Sequence, residues 1–394
     1  MTETKLKVLH LPEWYPKKNA PFLGIFVRKH IHAIHLFCNN AVLSVSSDEN
    51  LKDKNFDIDK NYENEILTVR VYYKKVKTMI PVISHFLKLY RHLRSLGIGY
   101  TEIKKQFGKP DLTHIHIISH LNFLALFLKN FKNIPFFITE HWSGYLQEDG
   151  AFKSFFQKQI AKIMVRNASG VTTVSNALKQ AMLNTHGLKN NYFVIPNIVE
   201  TITCAELKET INDKINIIVV CDLMDEVKNV SGIIKAAAIV YKENPVFILH
   251  IIGDGKDRKM LESLAMETGL LNKQIIFYGE INNHEVYEKM LNSDFLILNS
   301  HYENFPCVIL EAFSCGIPVI ATKVGGVPEI IHEENGILIE KNNTRQLQEA
   351  IKYMIDNYQK YNKQKLNQFA QTNFTYEVVG KKFFEIYKSV LTKK

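Results

Sequence analysis

Short apolar runs alternate with helix-spaced segments along almost the whole chain, and few folds accept that pattern. In the first half, residues 7–11, 41–46, 66–73, 112–117, 135–139 and 170–174 read as strands, with helical spacing over 26–37. Strands that are apolar on both faces need cover on both faces. The pattern therefore predicts an α/β architecture of parallel sheets with helices front and back. Around 192–199 a strand ends in Pro196-Asn197, and a polar stretch follows over 206–214. Proline and charge mark places that few contacts cross, so a linker is expected there. The pattern then restarts, with strands at 215–221, 246–252, 275–278 and 295–298 and helices at 230–241, 258–268 and 284–292. A chain of 394 residues is long for one core and comfortable for two. The expectation is two doubly wound Rossmann-like domains, 1–198 and 199–374, facing across a cleft. In such sheets ligands sit beyond the carboxyl ends of the strands.

The densest chemistry lies in residues 300–322. The apolar run 295–298 leads into Glu303, a helix follows from Pro306, and Glu311 stands inside that helix. Proline suits a first turn and Gly316 suits the exit. The N–H groups of Cys307 and Val308 then open toward solvent, and with the helix dipole they form an anion site fit for a phosphate or diphosphate. Two carboxylates beside an anion site repel it unless the ligand also carries hydroxyls. A nucleotide sugar carries both.

Glu303 and Glu311 resemble the paired-glutamate signature of the retaining glycosyltransferases of family 4, which have the GT-B fold. The flanks match as well: Gly316-Ile317-Pro318-Val319-Ile320-Ala321-Thr322, then Gly325-Gly326-Val327-Pro328-Glu329, then Asn335-Gly336. The resemblance implies a C-terminal domain that binds a nucleoside diphosphate sugar. Asn304, Phe305, Pro306, Cys307 and Val308 would line the donor, Glu303 would hold hexose hydroxyls and Glu311 the ribose. It also implies that residues 375–394, a strongly amphipathic helical stretch, return to brace the first domain.

Other segments extend the match. Trp14-Tyr15-Pro16 and Gly24-Ile25-Phe26 follow the first strand, where Gly24 allows close backbone approach and Arg28 offers a positive charge. His141 follows an apolar strand, and its place matches a histidine that relatives use near the donor hexose. Lys228 is set to neutralise a diphosphate leaving group. Relatives pair that lysine with an arginine where this chain has Asp222, a carboxylate that repels phosphate. Gly253 and Gly279 end two strands of the second half, and the base is expected near the latter. His141, Glu303 and Lys228 are the expected catalytic residues.

Composition excludes several classes. No run is long and apolar enough to span a bilayer, and residues 1–9 lack the apolar core of a signal peptide, so a cytoplasmic protein is expected. Five scattered cysteines show no zinc spacing and read as reduced thiols. Asp57 and Asp59 form Asp-x-Asp only within a polar, Lys-rich surface stretch, so no metal and no cofactor are expected. The net charge of +9 comes with no nucleic-acid module. Basic residues gather instead over 74–94, where Phe86, Leu89, Tyr90 and Leu93 have helical spacing. That piece reads first as a surface helix on its own domain. It also suits an anionic membrane surface, at the inner face, with a lipid-linked or saccharide acceptor. The sequence leads to a metal-independent retaining hexosyltransferase of cell-surface polysaccharide or glycolipid synthesis. A nucleotide-sugar epimerase of the same fold, or a catalytically decayed sugar-nucleotide-binding subunit, is the alternative.

Overall fold

The computed structural model describes residues 5–51, 54–76, 81–119, 122–203, 207 and 214–391. Most of the linker expected over 206–214 lies outside these residues, as do Lys77 and Cys204. The first half runs β1 (Lys7–Pro12), α1 (Ile25–His35), β2 (Asn39–Asp48), β3 (Phe56–Glu63), β4 (Ile66–Lys74), α2 (Pro81–Gln106) and β5 (Leu112–His116). It continues with α3 (Phe123–Lys132), β6 (Phe136–Glu140), α4 (Phe155–Asn167), β7 (Gly170–Thr173), α5 (Asn176–Gln180) and β8 (Tyr192–Val194). These strands make one sheet in the order β3-β4-β2-β1-β5-β6-β7-β8. All pairings are parallel except β3 with β4.

β3 was not expected as a strand. It carries Asp57 and Asp59 and pairs on one side only, as an edge, so it needs no apolar run. Arg70 of β4 answers its acids, with Nη2 2.6 Å from Glu63 and Nη1 3.9 Å from Asp59. The basic helix also runs beyond the 74–94 stretch in which its spacing was read, to Gln106.

The second half runs β9 (Ile215–Val220), α6 (Asp225–Lys228), α7 (Val230–Glu243), β10 (Phe247–Ile252), α8 (Arg258–Glu267), β11 (Ile275–Gly279) and α9 (Asn283–Leu291). Then come β12 (Phe295–Leu298), α10 (Cys307–Ser314), β13 (Val319–Thr322), β14 (Gly336–Ile339), α11 (Thr344–Asn357), α12 (Lys363–Phe374) and α13 (Tyr376–Leu391). Its six strands are all parallel, in the order β11-β10-β9-β12-β13-β14. The order reverses between β9 and β12, and in the first sheet between β1 and β5. At such a reversal the crossover helices diverge to opposite faces and leave a crevice at the strand ends.

The last helix belongs spatially to the first half. Val379, Phe383 and Tyr387 of α13 are buried among Val8, Ala33, Ile34, Leu112 and Phe137. Burying a side chain such as Phe383 contributes about 2–3 kcal/mol. The chain thus crosses between the halves twice, near 199 and near 375. The two crossings are tied together where the Val199 N–H donates to the Phe374 carbonyl at 3.0 Å.

Candidate active site

The crevice between β9 and β12 holds a charged pair. α6 is a single turn, started by Asp225, whose N–H donates to Asp257 Oδ2 at 2.8 Å, and ended by Asn229 in the left-handed region at φ 46°. That geometry turns Lys228 back over the strand ends. Its Nζ lies 2.5 Å from Glu303 Oε1, which also accepts from Ser300 Oγ at 2.7 Å. Burial pulls the ammonium down, but the Glu303 carboxylate and its hydrogen bond outweigh that, and Lys228 titrates above its ordinary value. The Glu303 turn needs glycine opposite: at Gly325, φ 49°, a Cβ would stand 1.7 Å from the Glu303 carbonyl oxygen.

The next residues pin the halves together. Asn304 is buried; its Oδ1 accepts from Ser175 Oγ at 2.8 Å and its Nδ2 donates to the His141 carbonyl at 2.9 Å. The Phe305 carbonyl accepts from Asn197 Nδ2 at 2.7 Å. Glu329 accepts from the N–H groups of Asn176 and Ala177 at 2.8 and 2.7 Å, at the start of α5. Pro306, expected within the first turn, stands one residue before α10. Cys307 and Val308 open the helix, so their N–H groups have no acceptor within it. Burial raises the Cys307 thiol to about 12, so it stays protonated.

Glu311 is met by a residue that the sequence did not single out. Lys29 reaches from α1 across the crevice, with Nζ 3.7 Å from Glu311 and 3.7 Å from Glu200. Lys29 is itself buried. Burial raises Glu311, Lys29 opposes that, and Glu200 adds to it. Tyr376, the first residue of α13, donates to Glu200 at 2.7 Å. Arg28, the cation expected from this helix, is only partly buried; Lys29 is the neighbour that reaches α10. The period of α1 could have shown this, because Lys29 stands three residues after Phe26 and four before the buried Ala33, on an inward face.

His141 comes from the opposite half, one residue beyond β6. It is buried, and neither ring nitrogen has a hydrogen-bond partner. It packs at ring-centroid distances of 4.9 Å from Phe26 and 5.1 Å from His30. Behind it, at the β1/β5 reversal, lie His10, His114 and His116, all fully buried. Burial lowers every one of these imidazoles: His10 to about 3, His30 to about 4, and His114, His116 and His141 well below the usual range. They are neutral at pH 7. His10, His114 and His116 bring potential ligand atoms within 4.8 Å of one another. Both nitrogens of His114 are engaged, with Thr139 at 2.7 Å and Tyr387 at 2.5 Å, and His10 Nδ1 is 3.0 Å from His116 Nε2. Four of the six ring nitrogens are thus engaged, while His10 Nε2 and His116 Nδ1 have no hydrogen-bond partner.

Gly24 caps α1 at φ 69°, where a Cβ would stand 2.3 Å from the Trp14 carbonyl oxygen. Gly253 and Gly279 meet at the ends of β10 and β11, the Gly253 N–H donating to the Gly279 carbonyl at 2.8 Å. Asp222 is exposed beside Lys228 and adds to the field that raises it. Sequence reading also missed Glu140, fully buried at the end of β6. It accepts from the N–H groups of Ile118, His141 and Trp142 at 3.0, 2.9 and 2.9 Å. Burial raises it to about 7 against the pull of those donors.

Two parallel Rossmann-like sheets, facing across a crevice that a lysine–glutamate pair lines, define the GT-B class of glycosyltransferases. The family description "Glycosyl transferases group 1" matches residues 205–371, and "Glycosyltransferase Family 4" matches 29–202. An uncharacterized glycosyltransferase of Methanocaldococcus jannaschii is 30% identical over 312 residues, covering 76% of this chain and 81% of its own. The chain belongs to this group 1, family 4-like glycosyltransferase family. It is also 26% identical over 276 residues to TuaC of Bacillus subtilis, a glycosyltransferase ascribed to teichuronic acid biosynthesis, covering 66% of this chain and 65% of that one. Among solved structures, sucrose-phosphate synthase from Thermosynechococcus elongatus superposes with a TM-score of 0.74 at 18% identity, covering 99% and 100% of the two chains. HepE of Anabaena in complex with UDP-glucose gives 0.68 at 18% identity, covering 98% and 100%.

Proposed function

We propose that this enzyme is a retaining transferase that moves a hexose from a nucleoside diphosphate sugar to a hydroxyl acceptor in cell-surface polysaccharide or glycolipid assembly. The observation that carries the reading is the Lys228–Glu303 pair at the strand-order reversal, beside the opening turn of α10. Lys228 and the N–H groups of Cys307 and Val308 bind the diphosphate. Glu303 accepts from hexose hydroxyls and Glu311 from the ribose, which displaces Lys29. His141, with two unpartnered ring nitrogens, meets the hexose from the other half. Gly24, Arg28, Gly253 and Gly279 shape the donor's surroundings.

The bond from the anomeric carbon to the diphosphate oxygen breaks, and the acceptor oxygen bonds to that carbon on the same face. The acceptor's proton passes to the departing phosphate. Catalysis is then positioning plus relief of the leaving charge by Lys228 and the helix start. Those groups supply the positive charge in a metal-independent reaction, so a chelator leaves the rate unchanged. Two relatives support the donor and product classes: HepE forms a complex with UDP-glucose, and TuaC is ascribed to teichuronic acid biosynthesis. Isothermal calorimetry with UDP-, GDP- and ADP-sugars tests the reading. One donor binds, and Glu311→Ala weakens it about tenfold or more; equal binding by the variant removes the ribose role.

The acceptor is proposed to lie at an anionic membrane surface. No helix among the described residues is long and apolar enough to cross a membrane. However, α2, α3 and α4 cover one face of the first sheet, and they carry ten Lys/Arg against the single acid Glu102. That excess equals the net charge of the entire chain, +9. Phe86 and Phe131, each 70% exposed, and Phe156, 77% exposed, stand among these charges. Near-surface basic residues contribute about 1 kcal/mol each on anionic lipid. Reversing Lys88, Arg91 and Arg94 to Glu lowers binding to phosphatidylglycerol vesicles by about a hundredfold in co-sedimentation. Equal binding to phosphatidylcholine counts against the electrostatic reading.

A further inference from the structure

The first half contains a recess of about 180 Å³ at the ends of β1, β5 and β6. Trp14 and Trp142 line it, with Tyr145 and Phe152 behind and Glu13 and Gln157 offering polar groups. These are the only two tryptophans in the chain. Their faces are half-buried, while Tyr145 and Phe152 pack beneath at 4.3 Å between centroids and are themselves buried. Trp142 meets Tyr145 edge-on at 5.4 Å and Trp14 meets Phe26 edge-on at 6.1 Å, so both indoles are held by neighbouring rings.

The backbone at this recess is strained. Ile117 has φ 70°, a region that β-branched residues avoid. Its surroundings enforce the conformation. The Ile117 N–H donates to the Thr139 carbonyl at 2.8 Å, the Ile118 N–H to Glu140 Oε2 at 3.0 Å, and the Glu13 N–H to the His116 carbonyl at 3.0 Å. Strain that neighbours over-determine is a mark of binding sites. The recess also adjoins the crevice. Trp142 follows His141, whose carbonyl is bound by Asn304, the neighbour of Glu303.

We infer that this recess seats the pyranose ring that receives the transferred hexose, stacked on the indoles of Trp14 and Trp142 with its hydroxyls donating to Glu13. The assignment rests on the transferase reading above and adds the chemical class of the acceptor's terminal unit, a sugar. A pyranose has an apolar C–H face and a polar rim. Aromatic faces bordered by a carboxylate and an amide match it better than they match an aliphatic chain, which has no use for Glu13.

Because no tryptophan lies elsewhere, intrinsic fluorescence reads the recess directly. The titrants are methyl glycosides of glucose, galactose, mannose and N-acetylglucosamine, with n-octanol as an aliphatic control, all in the presence of UDP. The expected result is a saturable emission change with at least one glycoside and none with n-octanol. In saturation-transfer NMR, Trp142→Ala weakens that glycoside tenfold or more, Trp142→Phe retains most binding, and calorimetric affinity for UDP is unchanged in both. No response to any glycoside, a response to n-octanol alone, or full glycoside binding by Trp142→Ala overturns the assignment. Wild-type protein that binds no UDP or UDP-sugar fails the transferase reading instead, a result that does not depend on the recess.

Discussion

The two sheets present the same feature, a reversal of strand order, and fill it in opposite ways. At the β9/β12 reversal stands a charged pair, Lys228 and Glu303. At the β1/β5 reversal stand His10, His114 and His116, which burial keeps neutral. Under the proposed transfer, the contrast follows from what each crevice would face. A diphosphate needs fixed positive charge and a polar lining. A neutral hydroxyl compound needs shape and hydrogen bonds, and charge there would only disturb the field at the leaving group.

The largest expected effect comes from breaking the charged side. Lys228→Ala leaves Glu303 without its cation, and turnover falls about a hundredfold or more in initial-rate assays. A loss confined to KM would show that Lys228 only binds donor. The neutral side is tested by pH. The unfolded chain's histidines protonate near pH 6.5, while the folded cluster refuses protons until far lower. Their stability contribution is therefore complete above about pH 6.5 and is lost as pH falls, by up to about 1.4 kcal/mol per pH unit for each imidazole. Glu140 works the other way: raised to about 7, it stabilises most at low pH and least above 7. Five histidines outweigh it, so urea midpoints drop between about pH 7 and 5. A flat profile would mean that the cluster admits water. The smallest effect sharpens the comparison. Asp222→Arg places a second cation beside Lys228 and raises turnover about threefold, with little change in stability. Lower turnover would show that Asp222 has a role of its own.

The charged side was largely legible in the sequence, because its residues follow strands by a few positions and strand ends are readable from apolar runs. Glu303, Asn304, Cys307 and Lys228 lie together as that placement suggests. The strand β3 was hidden because an edge strand with polar faces lacks the run that marks a buried one. Lys29 was hidden for a different reason. Its partner Glu311 is far along the chain and in the other half, and only the tertiary arrangement that seats α13 on α1 brings the two together. Glu140 and the tryptophan recess belong to the same class. Glu140 needs the loops after β5 and β6 to converge, the recess adds the loop after β1, and no local spacing encodes either. The buried histidines had a faint signal, alternation in Leu112–His116, which places His114 and His116 on one side of β5.

The tie between Val199 and Phe374 has a mechanical consequence. Two strands of chain, bonded side by side, join the halves like the two knuckles of a door hinge. A single connecting strand would let one half twist and wander; a paired one restricts it to swinging about a line through both. Opening along that one swing would part Lys29 from Glu311 and break the Asn304 and Asn197 bonds that cross between the halves.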